Sequence, residues 1–164
     1  MNMTHYMELL ATNQPWNLLL FMAVPVMLAE TVAITELFVL FRRATSGALV
    51  AVNRAASILG GAYFIGVVAY LVPNAVVPIT AGGAWRGPAD VIAVGSYLLG
   101  VVPLVGMALL DLRWIGARLS DSQRMAWHAA CVAAFLVVAH VAMIFGMLDP
   151  TVLGGAAGGS HATH

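Results

Sequence analysis

Four long apolar runs, separated by short polar stretches, organise the chain: Pro15 to Phe41, Ala55 to Ile79, Ala89 to Leu112 and Gln123 to Leu148. Crossing about 30 Å of hydrocarbon at 1.5 Å per residue takes about 20 helical residues, and each run is long enough. The pattern predicts an all-α fold, an integral membrane four-transmembrane-helix bundle, in one domain over residues 1–150. The glycine-rich ending GGAAGGSHATH, within 151–164, reads as a flexible tail.

Boundary residues support these limits. Pro15 and Pro88 suit first helical turns, where the missing N–H costs nothing. Ser120-Asp121-Ser122-Gln123 reads as a capping box opening the fourth helix, and Asp149-Pro150 stops it. Small residues four apart, Ser57 and Gly61, Ala62 and Gly66, Ser96 and Gly100, Ala130 and Ala134, Ala142 and Gly146, are spaced for close helix approach. Pro73, Pro78 and Pro103 predict kinks.

Against this background a few polar residues stand out. Glu30 and Glu36 lie inside the first run, and a carboxylate at membrane depth must face protein, a cation or water. His128 and His140 lie in the fourth run. With midpoints near Ala29 and Leu136, Glu30 sits at the centre with His140 roughly 6 Å towards one side, while Glu36 and His128 sit roughly 10 and 12 Å towards the other. If the first and fourth helices are neighbours, two Glu/His tiers result. At about 100° per residue, however, the two glutamates point about 120° apart, and so do the two histidines.

Three chemistries fit these groups. Carboxylate and imidazole suit a transition metal such as iron, copper or zinc, with Glu30 and His140 central and Glu36 and His128 secondary, although no dedicated ligand spacing is present. The same groups suit proton relay or cation binding. They also suit plain structural hydrogen bonds, for instance from Glu30 to Thr31 or Thr35. Haem b or a quinone, in an electron-transfer subunit anchored by His140, is a further alternative. A second haem ligand would be Met22, Met27, Met107 or His5. At the N-terminus, MNMTHYM places Met3, His5 and Met7 together, with Met1 beside them, and thioether with imidazole suits copper(I) or haem; His161 and His164 would lie on the same side.

Composition agrees with a membrane protein. Of 164 residues 62% are hydrophobic and 9% charged, against about a quarter charged in soluble domains. Mean hydropathy is +0.93. The zero net charge offers no basic face for nucleic acid. One cysteine, Cys131, excludes an internal disulfide. The N-terminus lacks the basic segment of a cleaved signal peptide. No nucleophile triad or phosphate loop is recognisable, so enzyme chemistry is not indicated. Arg42, Arg43, Arg54, Arg113, Arg118 and Arg124 flank the first and third loops and only Arg86 the second, which predicts both termini outside a bacterial inner membrane. Trp16, Trp85, Trp114 and Trp127 fall at helix ends, at headgroup level.

The stretches NQPWNLLLFMAVPVMLAETVAITEL, GGAWRGPADVIAVGSYLLGVVPL and VAHVAMIFGMLDPTVLGG resemble a family of small bacterial four-helix membrane proteins often labelled permeases. The resemblance implies the topology and no chemistry. The expected protein is thus a membrane cation or metal site for binding or translocation, with an electron-transfer subunit and a structural subunit as alternatives. Its partners are the lipid bilayer and either copies of itself or other membrane subunits.

Overall fold

The computed structural model describes residues 3–42 and 46–150. Arg43, Met1, His161, His164 and the glycine-rich tail lie outside the described residues. A short helix, α1 (His5–Ala11), precedes four long ones: α2 (Trp16–Arg42), α3 (Ala48–Ala81), α4 (Pro88–Asp111) and α5 (Asp121–Met147). Each long helix is apolar and long enough to cross a membrane, and no strand occurs among the described residues. The protein is an all-α bundle of multi-pass membrane type.

The sequence reading begins the second helix at Ala55, but α3 begins at Ala48 and runs through Asn53 and Arg54. Two polar residues do not stop a helix when one turns inward and the other outward. Asn53 donates to Val32 O (3.1 Å) and Thr35 Oγ1 (2.9 Å), while Arg54 is exposed. Helix α1 precedes the first apolar run. Thr4 caps it, accepting from Met7 N at 3.3 Å. The capping box of α5 is present, with Ser120 and Gln123 exchanging hydrogen bonds.

In each long helix the buried positions follow a spacing of three and four. In α2 they include Pro25, Ala29, Val32, Glu36 and Val39; in α3 Ser57, Gly60, Phe64, Val67 and Leu71; in α4 Asp90, Ala93, Tyr97, Gly100, Leu104 and Met107; in α5 His128, Val132, Phe135, Ala142 and Gly146. That repeat is the mark of long helices crossing at a shallow angle, side chains of one filling gaps of the next. Gly61 lets α3 meet α4 closely, since a Cβ there would stand 2.7 Å from Ala108 Cβ. Ala62, Gly66, Ala130 and Ala134, which also carry the small-residue spacing, face outward.

Helix α3 packs between α2 and α4, and α5 lies along α4. The contact between α2 and α5 is much slighter. One reason lies in the first turns of α2, where Leu19–Ala23 form a wider π-helical turn ahead of Pro25. Proline cannot close onto the Phe21 carbonyl. The Tyr97 hydroxyl donates to that oxygen instead (2.6 Å), and the Tyr63 hydroxyl donates to Leu20 O (2.9 Å). The freed carbonyls of α2 thereby tie it to α3 and α4, leaving a gap towards α5. The second π-helical turn, Val72–Val76, coincides with the kink expected at Pro73.

Candidate functional site

Polar residues on the buried stripes converge at the bundle end that carries Arg42, Arg54, Arg113, Arg118 and Arg124. There His128 of α5 reaches Glu36 of α2, Nδ1 to Oε2 at 2.6 Å. On the opposite edge of the ring Nε2 lies 3.1 Å from Asp111 Oδ2 of α4 and 3.3 Å from Ser57 Oγ of α3. All four long helices thus contribute one group. The side chains of His128 and Glu36 are only 6% and 8% exposed, so these bonds are made out of water.

The geometry constrains the protons. A neutral imidazole carries one N–H and cannot donate to carboxylates on both edges. Direct hydrogen bonds to carboxylates at both nitrogens at once require either an imidazolium between two carboxylates or a neutral ring beside a protonated carboxyl. Either state binds one proton more than a neutral ring with two free carboxylates. Ser57 adds an adjustable partner at Nε2, because a hydroxyl can donate or accept. Glu36 Oε1 is buried with no partner among the described residues. A pocket of about 350 Å3 opens onto Glu36, Asp111 and His128, with Asn53, Arg54, Arg113, Asp121 and Arg124 in its walls. The Arg124 guanidinium pairs with Asp121 at 3.4 Å.

The other tier is built differently. Glu30 and His140 are off the buried stripes and exposed on the protein surface. Both line a cleft of about 470 Å3 between α2 and α5, floored by Phe64, Ser96 and Tyr97 and covered at one end by Tyr6, Met7 and Leu10 of α1. His140 Nδ1 is 2.6 Å from Leu136 O. A carbonyl only accepts, so Nδ1 carries the hydrogen, and neutral His140 has its lone pair on Nε2. Thr31 and Thr35 donate to Met27 O and Thr31 O of their own helix rather than to Glu30. Tyr6 lies outside the spans, and burial pushes its phenol up to about 12, which keeps it a neutral O–H.

The third group, at the N-terminus, is drawn apart. His5 turns to Asp90 of α4, with Nδ1 at 2.5 Å from Oδ2 and its backbone N–H donating to Oδ1 at 2.7 Å. Arg86 N donates to the same carboxylate at 3.2 Å, and the Arg86 guanidinium reaches Met3 O and Glu8. Met3 is exposed and Met7 faces the cleft. Of the methionines weighed as haem ligands, Met22 lines the cleft, Met27 is 65% exposed and Met107 is in the core. Among the described residues no three His, Cys, Asp or Glu side chains gather as a metal would require. At His128 the reason is visible, since its two carboxylates lie on opposite edges of the ring.

Asp111 and Ser57 belong to the cluster and Asn53 lines the pocket beside it, but none of the three is among the site candidates that the sequence offers. The signal was the stripe itself: Asp111 continues Tyr97, Gly100, Leu104 and Met107, and Ser57 and Asn53 extend Gly60, Phe64 and Val67. The same count places Glu36 and His128 inside and Glu30 and His140 outside.

The chain matches, over residues 1–162, the model of a family of unknown function, DUF6803, and belongs to that family. No curated protein and no solved structure matches it.

Proposed function

We propose that this DUF6803 member is a membrane cation-binding or cation-translocating protein whose buried centre is a proton site. The proton is shared along Glu36, His128 and Asp111. The observation that supports this reading is the buried carboxylate–imidazole–carboxylate chain, in which the partners are all side chains able to exchange protons and Glu36 Oε1 is held in reserve. Arg54, Arg113 and Arg124 in the adjoining pocket offset the excess negative charge, and Asp121 tempers them. The pocket provides the route by which protons reach the chain from one side of the membrane. The arginine distribution supports assigning that side to the cytoplasm of a bacterium, with both termini outside the inner membrane.

The test is an infrared difference spectrum of the protein in lipid between acidic and alkaline conditions. The wild type is expected to show the carbonyl band of a protonated carboxyl, shifted or abolished in both Glu36→Gln and Asp111→Asn, with the spectrum of His128→Gln altered in its imidazole bands. A spectrum that none of the three substitutions changes overturns the proposal.

A further inference from the structure

The cleft between α2 and α5 plays no part in the proton chain, and its chemistry selects a ligand of its own. Its volume, about 470 Å3, falls among those of small-molecule sites. Its walls are apolar and aromatic, with Phe21, Phe64, Tyr97, Phe135, Met22 and Met143. The ionisable side chains lining it include one acid, Glu30, one histidine, His140, and no arginine. Glu30 makes no hydrogen bond or ion pair among the described residues. His140, with Nδ1–H committed to Leu136 O, presents an acceptor at Nε2. The cleft therefore offers one negative charge, one lone pair and several ring faces, and nothing fixed and positive.

From these observations we infer that the cleft binds an amphipathic organic cation, its charge against Glu30 and its apolar body between the aromatic walls. Charge complementarity selects this occupant. A carboxylate at mid-membrane depth is costly alone and is relieved by a cation that brings its own apolar cover. Ring faces attract a delocalised or quaternary positive charge and repel an anion. An acyl chain would fill the volume but leave Glu30 unanswered. The inference concerns a different cavity from the proton site and stands or falls separately from it.

The test uses tetraphenylphosphonium and tetraphenylborate, ions of nearly the same shape and opposite charge, added to the purified full chain in detergent. Saturable binding of the phosphonium is expected, with no measurable binding of the borate. Glu30→Gln, at an exposed position, is expected to keep the helical spectrum and melting temperature and to weaken phosphonium binding about tenfold or more, as expected for losing one attraction between opposite charges. Equal binding of both ions, unchanged binding in Glu30→Gln, or no saturable phosphonium binding would each overturn the assignment. So would purified protein whose cleft holds a haem, a quinone or a lipid that the phosphonium does not displace.

Discussion

Two buried carboxylate–histidine pairs, at opposite ends of the bundle, have nearly the same length and opposite character. Asp90 meets His5 at 2.5 Å, and Glu36 meets His128 at 2.6 Å. Asp90 also accepts from the backbone N–H groups of His5 and Arg86, donors that hold their hydrogen at any ordinary pH. Both of its oxygens are thereby committed, and the pair acts as a pin that fastens α1 to the start of α4. Glu36 and His128 meet only side chains, and Glu36 Oε1 stays open. The comparison teaches that distance does not distinguish a structural pair from an exchangeable one. The identity of the remaining partners does.

Amide substitutions test this most strongly at the pinned end. In Asp90→Asn the new NH2 must face a backbone N–H in either orientation, so a buried donor goes unsatisfied. We expect a loss of about 2–3 kcal/mol, measured by unfolding in detergent. A loss no larger than that of Asp121→Ala, whose pair is at the surface, would count against the pin.

A smaller effect is expected where α1 rests on α5. A Cβ at Gly146 would stand 2.6 Å from Tyr6 Cδ1, and Thr4 donates to Gly146 O at 2.6 Å. Gly146→Ala should cost about 1–2 kcal/mol and speed hydrogen exchange in α1 while leaving α2 to α4 unchanged. Uniform acceleration across all helices would show that α1 is not a separate unit.

The smallest stability effect belongs to the other pair. In Glu36→Gln the amide oxygen can accept from His128 while its NH2 takes the Oε1 position, where one partnerless group replaces another and no existing bond is broken. The expected loss is about 1 kcal/mol or less. If Glu36→Gln destabilised the protein as much as Asp90→Asn, the chain at His128 would be a second structural pin.

Much of this was legible in the residues. Pro88, the Ser120 to Gln123 box and the stop at Asp149-Pro150 bound helices as expected, because caps and breakers act over three or four neighbours. Counting along the helices also matched the levels of Glu36 with His128 and of Glu30 with His140. Placement in the core was also encoded, but only as a pattern: Glu36 keeps the spacing of Ala29 and Val32, and Glu30 breaks it. Weight given to depth alone favoured Glu30 and His140 as the central pair, whereas the direct contact formed is between Glu36 and His128.

Hydropathy, span length and helix ends are sums over neighbouring residues, so the sequence by itself determined that this protein is a bundle of four membrane-length helices. Which groups touch depends on the rotation of each helix and on which helices adjoin. Those are settled by close packing between segments distant in the chain, as when Gly61 admits Ala108 or Tyr97 takes the carbonyl that Pro25 leaves open. Only the tertiary structure could therefore decide that His128 joins Glu36 to Asp111, that His5 serves Asp90, and that Glu30 and His140 stand on either side of an open cleft.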